Sequence, residues 1–584
     1  MTTPEGGRPP GWLDRVAGLP PAVLIVPALM FFVAVSMVAL VRDSVVYDEV
    51  VHLPSGYTYL RTGDFRLNPE HPPLIKLLAA APLIFLDPRW PSSSEAWAKG
   101  DEWAFGFQFM YHSGNDPDRL LFWGRASMLI WPLLLILSAT AVARELFGPR
   151  GGLIALVLTA FNPTLLAHGH RVTTDVPVAC LLFLALTAFW KLGRTGSWTW
   201  AAASGLLLGG ALAAKFNAVL FLPPIAMILA IVGLRSRTEA APPATPRSRR
   251  ILRGASLAAL TLVLTLGVPW AAYGFRFSGG PPVDAMGVWS PEYLRGSLIG
   301  RAVTIARACR LMPEDYLYGF SYVHQSTQGR LAYAMGQYTN RGWWWYFPFC
   351  FLVKTPLPAV VLMGWGGWTT LRRFRQGPVP ESFLVVPVIF YWVLAIGSGI
   401  NIGVRHLMPV LPLMAVLAGG VEIPAGRWWS RGVLAALGLT VAGCAVAAPH
   451  YLSYFNLPSR MLGEPHELLV DSNLDWGQDL KRLKSYMEEN RLGSIKLAYF
   501  GAASPRQLNL VHEVLPSGGL YRDFEPEWKA AKSLRAGDLI AVSATVLSGA
   551  LSAEEREYYR RLLGKIEPIE TVGRSIFIYR LPRR

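Results

Sequence analysis

The chain has 584 residues, of which 52% are hydrophobic and 16% are charged. This balance excludes an ordinary soluble domain, in which about a quarter of the residues are charged. The formal net charge of +16 does not indicate a nucleic-acid-binding protein, because the basic residues lie in short loops between apolar segments and form no patch with interleaved aromatic residues.

Apolar segments long enough to cross a membrane, about 20 residues each, recur through the first three quarters of the chain. They include 20–41, 120–143, 151–166 and 176–190, and the last one ends at Ala448. About eleven spans are expected by this criterion. Basic residues fill alternate loops, most densely from Arg235 to Arg253. The positive-inside rule therefore places these loops and the amino terminus in the cytoplasm, and the loops 42–119 and 276–345 on the outer face.

Two further segments complete the predicted architecture. Residues 71–86 are apolar but too short for a comfortable span, which predicts a helix lying on the membrane surface. After Ala448 the sequence becomes polar, with a helix-like pattern at 478–490 and strand-like patterns at 495–500, 539–546 and 575–581. The chain is thus predicted to be an α-helical polytopic membrane protein, with a transmembrane module at 1–448 and a small exterior α/β domain at 449–584. Its cysteines, Cys180, Cys309, Cys350 and Cys444, have no CxxC spacing and are expected to be packing residues.

Polar motifs collect at the predicted outer ends of the spans. Acidic and histidine-rich segments follow the first span, open the surface helix and end the third span, and cations lie at later outer ends. These motifs are Val45–Glu49, Asn68–Leu74, His168–Asp175, Lys215, and Arg405 with His406. Ionisable groups at a membrane boundary indicate a functional site, and the alternative is that their side chains extend to interfacial water.

In their order along the chain, these motifs resemble those of a known superfamily. The quoted features are Asp48-Glu49, the Glu70-His71-Pro-Pro-Leu segment, Thr-Thr-Asp ending at Asp175, and Ala-Ala-Lys-Phe-Asn around Lys215. Together they resemble the protein O-mannosyltransferase and lipid A aminoarabinose transferase superfamily, membrane glycosyltransferases of the C-type fold related to glycosyltransferase family 39. The resemblance implies transfer of a sugar from a polyprenyl-phosphate carrier to an acceptor on the outer face, with inversion at the anomeric carbon.

The implied reaction needs a carboxylate, because the acceptor hydroxyl must lose a proton near the anomeric carbon. Asp48 matches the family's first-loop aspartate and is the candidate general base. Asp175 matches the family's second carboxylate loop, and Glu49 is the remaining catalytic candidate. A helix cap or a solvated loop acid is the structural alternative for these residues.

The reaction also needs cations, because the departing lipid phosphate gains negative charge as the glycosidic bond breaks. Arg405, Lys215 and Arg171 are the available cations, and His406 lies beside Arg405 at the start of a predicted helix. Their positive charges and the helix amino terminus favour phosphate binding. The alternative for each cation is a side chain that extends to the interface.

Five further residues are predicted to contact the substrates: Tyr47, Glu70, His71, Asp475 and Trp476. The segment around Asp475 and Trp476 combines acids, amides and an aromatic ring, which suits carbohydrate hydroxyls, although a helix cap explains it equally well. The His-Pro at His71 agrees with the mannosyltransferase branch of the superfamily, whereas the lipid A enzymes carry Glu-Lys at this position. The resemblance therefore implies a hexosyl- or pentosyltransferase that is mannosyltransferase-like.

No cofactor is expected from the sequence. A divalent metal held by histidines and carboxylates is the alternative, but no HExxH or other ligand spacing supports it. Glycine-rich nucleotide loops are absent from the sequence, which agrees with a lipid-linked donor. The expected partners are a polyprenyl-phosphate-linked sugar, an acceptor that is a lipid, glycan or protein, and membrane lipids, with no nucleic acid. The expected location is the plasma (inner) membrane, with the active site on its outer side.

A transporter or flippase of lipid-linked sugars is the competing interpretation, because it also combines many helices with basic cytoplasmic loops. Transporters place ionisable groups near the midplane of several helices, whereas the cores of these apolar segments carry almost none. A membrane scaffold with a partner-binding exterior domain explains the last 136 residues but not the outer motifs.

Overall fold

The computed structural model describes residues 11–238, 247–279, 288–326, 329–376, 380–424, 427–517, 524, 533–550 and 552–582. The basic run from Arg235 to Arg253 therefore lies partly outside the described residues. Most of the helices precede residue 448. Up to residue 273 the helices are α1 Trp12–Ala17, α2 Pro21–Arg42, α3 Glu49–Thr62, α4 Leu74–Ala80, α5 Glu95–Lys99, α6 Glu102–Phe107, α7 Pro117–Met128, α8 Ile130–Ala160, α9 Pro163–His168, α10 Asp175–Thr195, α11 Trp198–Ala214, α12 Leu222–Thr238 and α13 Arg247–Ala272.

The second half of the chain contains the remaining helices and all the strands of the described residues. The helices are α14 Pro291–Gly296, α15 Leu298–Ala308, α16 Glu314–Ser326, α17 Tyr346–Lys354, α18 Leu357–Arg375, α19 Ser382–Ile396, α20 Leu411–Ala418, α21 Arg427–Ala447, α22 Pro465–Leu468, α23 Leu480–Glu489, α24 Ala544–Leu547 and α25 Ala553–Leu563. The strands are β1 Ala332–Ala334, β2 Gln337–Thr339, β3 Ile495–Ala498, β4 His512–Val514, β5 Leu539–Ser543, β6 Glu570–Val572 and β7 Ile576–Arg580.

Long apolar helices confirm the predicted fold class, a polytopic helical membrane protein with a sheet-containing carboxy-terminal region. Within the described residues, five segments are long and apolar enough to cross a membrane: Pro21–Arg42, Pro117–Ala160, Asp175–Thr195, Ser248–Ala272 and Trp428–Ala447. Shorter apolar helices occur at Leu74–Phe85, Trp198–Ala214, Phe216–Ala230 and Ser382–Ile396. The count of about eleven spans stays a prediction.

A break inside α8 agrees with the separate apolar segments seen in the sequence. Gly148 has a φ of 71° within this helix, a left-handed conformation that glycine adopts without a steric penalty. Pro149 follows and has no N–H to continue the hydrogen-bond ladder. The chain therefore changes direction between the two apolar runs.

A helix is present at the predicted position, as α4 followed by a 3₁₀ turn at Ala81–Phe85, and its place on the membrane surface stays a prediction. One face is buried, including Ile75 and Ala79, while Phe85 is 91% exposed. A large apolar side chain this exposed fits a helix that lies against lipid. The cysteine prediction holds for three residues, but Cys309 is exposed at the end of α15 and is not a packing residue.

The carboxy-terminal region carries a five-stranded sheet with the order β4-β3-β5-β7-β6. β3 is parallel to β4 and β5, whereas β7 is antiparallel to β5 and β6. Three strands and the helix α23 lie where the sequence predicts them, although β5 ends at Ser543 and the chain continues as α24. The short strands β4 and β6 and the hairpin β1–β2 were not predicted, because three residues are too few to show an alternating pattern.

Residues 449–479, which precede this sheet, pack against the helical module. The Lys354 ammonium donates to the carbonyls of Leu452 and Asn473 at 2.8 and 2.5 Å. The Asn456 amide donates to the carbonyl of Thr355 at 2.9 Å. Buried residues of both regions form one continuous hydrophobic core. The domain boundary at 448 stays a prediction, and this segment connects the two regions tightly.

Candidate active site

A cavity of about 560 Å³ lies where the outer motifs of the sequence meet. The helical module contributes acids, cations and imidazoles to its wall, and the carboxy-terminal region contributes Asp471, Trp476, Phe500 and Thr545. The contributions of the helical module include Asp48, His52, Glu70, His71, Lys215, Arg405 and His406. This size and mixture of polar and aromatic groups are typical of a small-molecule site.

Four of the predicted site residues form one ion-pair cluster, which we name the reaction cluster: Asp48, Asp175, Lys215 and Arg405. Arg405 Nη1 lies 2.6 Å from Asp48 Oδ2 and 3.6 Å from Asp175 Oδ2. Lys215 Nζ lies 2.6 Å from the other oxygen of Asp175, Oδ1. Four separate chain segments therefore place two carboxylates and two cations together. Because Asp48, Lys215 and Arg405 line the cavity, the cluster is open to a substrate.

The segment 471–476 holds Arg405 in place. The backbone N–H of Val404 donates to Asn473 Oδ1 at 2.8 Å, and the Ser472 hydroxyl donates to the carbonyl of Ile402 at 2.9 Å. The guanidinium carbon of Arg405 lies 4.4 Å from the ring centroid of Trp476, a cation–π contact. The aromatic and amide residues that the sequence linked to sugar binding thus also fix the orientation of the cation.

The ionisation of the cavity carboxyls differs from one position to the next. Burial raises the pKa of Asp48, but Arg405 and His52 outweigh it and hold the pKa below its ordinary value. Burial raises the pKa of Glu70 and that of Asp471. Asp48 is therefore a carboxylate near neutral pH.

The histidines of the cavity wall are neutral. Burial lowers the pKa of His71 and of His406 well below the ordinary value. Burial also lowers the pKa of His52 to about 4, against the opposing effect of Asp48. His52 Nδ1 is hydrogen-bonded to the carbonyl of Val172 at 2.8 Å. His71 and His406 thus face the cavity as neutral hydrogen-bonding groups.

Arg171 lies in a different cluster, which we name the interdomain network: Asp43, Arg171, Asp479 and Arg482. Arg171 Nη2 and Arg482 Nη2 approach the two oxygens of Asp43, each at 2.7 Å. Asp479 pairs with Arg482 and accepts a hydrogen bond from the Ser575 hydroxyl at 2.6 Å. None of the four residues lines the large cavity. The phosphate-binding role predicted for Arg171 does not fit this position, and its contacts indicate a structural role.

Glu49 is also held away from the cavity. Arg125 donates to both of its carboxylate oxygens, at 2.8 and 2.6 Å, and both side chains are fully buried. The backbone N–H groups of Val46 and Val172 donate to the same carboxylate at 3.0 and 3.1 Å. A carboxylate with four donors has little capacity left to act as a base. A catalytic role for Glu49 does not fit these contacts.

The remaining predicted residues divide in the same way. Tyr47, Glu70, His71 and Trp476 line the cavity. Asp475 does not, because its carboxylate is turned toward the backbone N–H groups of Thr545 and Gly477 at 3.0 and 3.3 Å. Burial raises the pKa of Asp475 to about 7. These contacts support a structural role, in which Asp475 fixes the conformation of its loop, and direct substrate contact by Asp475 stays a prediction.

Sequence reasoning missed several residues of the cavity wall: Asn68, Trp103, Arg330, Asn401, Asp471, Phe500 and Thr545. Asn68 and Asp471 lie inside motifs that the sequence singled out, so position within those motifs was an available signal. Trp103, Arg330 and Phe500 carry no local pattern that separates them from packing or surface residues. Among the described residues, no three His, Cys, Asp or Glu side chains are arranged to hold a metal ion.

Comparisons with known proteins give one sequence match and several structural likenesses. No curated protein matches the chain. ArnT from Cupriavidus metallidurans in the apo state is 14% identical, with a TM-score of 0.45, over 95% of this chain and 97% of that one. An apo oligosaccharyltransferase from Archaeoglobus fulgidus is 12% identical, with a TM-score of 0.45, over 81% of this chain and 59% of that one.

The sequence match covers α7 to α13 and contains two members of the reaction cluster, Asp175 and Lys215. Residues 121–273 match the family described as dolichyl-phosphate-mannose-protein mannosyltransferase. Asp48 and Arg405 lie outside the matched range, and the structure alone joins them to the other two. The resemblance drawn from the motifs is therefore confirmed: this part of the chain is similar to the dolichyl-phosphate-mannose-protein mannosyltransferases.

Proposed function

We propose that this protein is a membrane glycosyltransferase that moves a sugar from a polyprenyl-phosphate carrier to an acceptor hydroxyl. The observation that carries the proposal is the reaction cluster in the wall of a cavity of about 560 Å³. The reaction needs an ionised base beside cations that stabilise a leaving phosphate. The similarity of residues 121–273 to a family that uses a dolichyl-phosphate-linked sugar supports the same donor class.

In the proposed reaction, the acceptor oxygen attacks the anomeric carbon while its proton passes to the Asp48 carboxylate. The bond between the anomeric carbon and the phosphate oxygen breaks, and the electron pair leaves with the lipid phosphate. Attack from the face opposite to the phosphate inverts the anomeric configuration. Arg405 and Lys215 stabilise the additional negative charge of the phosphate, which is larger in the transition state than in the bound donor.

Arg405 has two functions in this scheme. Before the donor binds, its guanidinium is paired with Asp48 at 2.6 Å, and this pairing lowers the pKa of the carboxyl. When a phosphate competes for the guanidinium, Asp48 loses part of this stabilisation and becomes a stronger base. Asp175 is a positioning residue, because it contacts Lys215 and Arg405 without lining the cavity.

The proposal extends to substrate, cofactor and location. The sugar is a hexose or pentose, and His71 in the cavity wall supports the mannosyltransferase-like branch. Transfer is proposed to proceed without a cofactor, because Arg405 and Lys215 supply the positive charge that a metal provides in other phosphate sites. Addition of EDTA should then leave the rate unchanged. The cavity is proposed to open on the outer side of the plasma (inner) membrane, where membrane lipids surround the module and the acceptor is a lipid, glycan or protein.

Native Cys309 offers a test of the membrane side. It is exposed, while Cys180, Cys350 and Cys444 are buried, so a membrane-impermeant maleimide added to intact spheroplasts should label the wild-type chain. A Cys309→Ser chain should not be labelled, and adding Ser236→Cys to it should restore labelling only after lysis. Labelling of Ser236→Cys in intact spheroplasts would reverse the orientation.

Transfer itself is tested with purified protein and short-chain polyprenyl-phosphate sugars that carry a radioactive hexose or pentose. Movement of label from the lipid fraction to a lipid, glycan or peptide acceptor is the expected result. Reconstituted vesicles loaded with the labelled donor on one side separate this activity from flipping. Translocation of the donor without release of lipid phosphate would contradict the proposal and favour a flippase.

A further inference from the structure

The cavity has an aromatic wall that lies beside the reaction cluster. Tyr47 directly precedes Asp48, and its ring stacks on that of Phe500 with centroids 4.8 Å apart and planes 19° apart. Trp103 meets Tyr47 edge-on at 5.5 Å and 64°. All three rings line the cavity. We name Tyr47, Trp103 and Phe500 the aromatic platform.

The platform joins two distant regions of the chain. Tyr47 and Trp103 belong to the first outer segment, whereas Phe500 follows β3 of the carboxy-terminal sheet. The backbone N–H of Phe500 donates to the Ser543 hydroxyl at 3.2 Å, which ties this ring to the end of β5. The carboxy-terminal region therefore forms part of the substrate cavity and fixes the position of one of its rings.

A carboxylate from the same carboxy-terminal region also lines the cavity. Asp471 lines the cavity and has a φ of 56°, a left-handed conformation that is uncommon for residues other than glycine. Its backbone N–H donates to the Thr545 hydroxyl at 3.2 Å, and its Oδ1 accepts from the N–H of Ser472 at 2.7 Å. These bonds hold the carboxylate at the cavity in spite of the strained backbone. Such strain is found at ligand-binding positions.

We propose that the aromatic platform and Asp471 bind a sugar ring of the acceptor, so that the acceptor is a glycan or a glycolipid. This inference rests on the proposed function. Aromatic faces contact the apolar C–H faces of a sugar ring, while a carboxylate accepts hydrogen bonds from its hydroxyls. An acyl or prenyl chain in this place has no hydroxyl that could donate to the Asp471 carboxylate.

The position of the platform assigns it to the acceptor rather than to the donor. The acceptor hydroxyl must lie within hydrogen-bond reach of the base that takes its proton, whereas the donor phosphate contacts Arg405 and Lys215 in the proposed reaction. Tyr47 is joined to Asp48, and its ring contacts Phe500. The platform is therefore beside the base, where the acceptor hydroxyl must lie.

The test compares three acceptor classes with the full-length protein in nanodiscs. The probes are a neutral oligosaccharide set (mannotriose, chitotriose and galactobiose), a short-chain lipid-linked disaccharide, and a Ser/Thr-containing peptide. Transfer to a sugar probe is expected, and the two sugar arms separate a glycan acceptor from a glycolipid. Phe500→Leu and Trp103→Leu should each raise the KM for that acceptor roughly tenfold, the scale of one lost aromatic contact. The affinity for the donor lipid should change less than twofold.

A matched control and a second measurement keep the result interpretable. Trp97→Leu removes a ring from the same outer segment that contacts Trp90 at 5.0 Å and does not line the cavity, and it should leave both parameters unchanged. Binding of the oligosaccharides is also measured directly by calorimetry, without donor.

The outcomes separate the two proposals. Transfer to the peptide alone, or a sugar-acceptor KM unchanged in both Leu variants, would overturn the platform and leave the glycosyltransferase assignment standing. Oligosaccharide binding that Phe500→Leu and Trp103→Leu weaken, without transfer to any acceptor, would overturn the glycosyltransferase assignment and retain a sugar-binding platform. Absence of both binding and transfer would overturn both.

Discussion

The reaction cluster and the interdomain network use the same chemistry for different ends. Each joins two carboxylates to two cations from segments far apart in sequence, and the cations lie 2.6 Å from Asp48 and Asp175 in one and 2.7 Å from Asp43 in the other. The reaction cluster lies in the wall of a cavity of about 560 Å³, whereas the interdomain network borders only a space of about 10 Å³, too small for more than one water molecule. Access to a substrate, and not the presence of buried charge, separates the two.

This difference predicts that mutations in the two networks fail in different ways. Loss of a group in the reaction cluster should lower turnover while the protein remains folded. Loss of a group in the interdomain network should lower stability while the folded fraction remains active, because the broken contact leaves a buried charge unpaired.

Replacement of the candidate base should have the largest effect. Asp48→Asn keeps the shape of the side chain and removes its capacity to take a proton, so turnover should fall by roughly two to four orders of magnitude. The melting temperature should stay close to that of the wild type. Turnover is measured with saturating donor and acceptor, and Asp118→Asn, an exposed acid paired with Lys481 at 2.7 Å, is the control. Turnover near the wild-type rate would remove Asp48 from the mechanism.

The equivalent change in the interdomain network should act on stability. Asp43→Asn leaves Arg171 without its carboxylate and weakens the contacts of Arg482, and the free energy of unfolding should fall by about 3 kcal/mol. Thermal unfolding in nanodiscs measures this loss, and turnover per folded molecule should remain close to wild type. The exposed pair of Asp118 and Lys481 is again the control, because Asp118→Asn should lower the free energy of unfolding by at most about 1 kcal/mol. A folded but inactive Asp43→Asn protein would contradict the division.

The sequence anticipated the helical membrane architecture and three of the strands, because apolar length and alternation are local signals. It also named all four members of the reaction cluster, from separate motifs that share one predicted face of the membrane. It did not separate Arg171 and Glu49 from that cluster. Both lie in the same motifs as Asp175 and Asp48, and only the tertiary partners Asp43 and Arg125 distinguish them.

The residues that sequence reasoning missed share a physical reason. Trp103 and Phe500 become cavity residues only when the carboxy-terminal sheet packs on the segment 42–119, and nothing in their local sequence encodes that contact. Asp471 lies in a motif that was recognised, but its neighbour Asp475 was chosen instead. The left-handed backbone at Asp471 turns one carboxylate toward the cavity, and this local geometry has no signature in the sequence.

At Arg405 in the reaction cluster, the geometry of the guanidinium group should matter as well as its charge. Arg405→Lys keeps the charge but loses the two-point contact with phosphate, so turnover should fall by about tenfold, and Arg405→Ala should lower it further. Donor affinity should fall less than turnover, because the lost contact is strongest as the phosphate leaves.

Turnover at saturating donor and equilibrium binding of a short-chain donor separate the two effects of Arg405. Arg171→Lys is the matched control from the interdomain network, and it should lower the melting temperature without changing turnover per folded molecule. Donor affinity that collapses at unchanged turnover would make Arg405 a ground-state anchor. No change in either quantity would leave it with only its structural contacts to Asp48 and Trp476.

The smallest expected effect concerns Asp475, which lies between the two networks on the segment 471–479. Burial raises its pKa to about 7 in the folded chain, although the N–H groups of Thr545 and Gly477 oppose the rise. In the unfolded chain this carboxyl ionises near pH 4, so between about pH 4 and 7 the folded chain holds a proton that the unfolded chain lacks. Asp475 therefore lowers the free energy of unfolding as the pH rises through this window.

Asp475→Asn removes this titration, so unfolding measured from pH 5 to 7.5 should depend less on pH than in the wild type. At the upper end of this pH range, the free energy of unfolding of Asp475→Asn should exceed that of the wild type by about 1 kcal/mol, after allowance for relaxation around a buried carboxylate. Asp118→Asn, which replaces a carboxylate that is 59% exposed, is the control measured over the same pH range. Asp43 has the opposite effect on the pH dependence of stability, because Arg482 and Arg171 outweigh burial and lower its pKa. The stability that its ion pairs contribute is therefore lost only as the pH falls below about 4. An equal pH dependence of unfolding for Asp475→Asn and wild type would show that Asp475 stays ionised in the folded chain. The N–H of Thr545 would then donate to a buried, charged carboxylate.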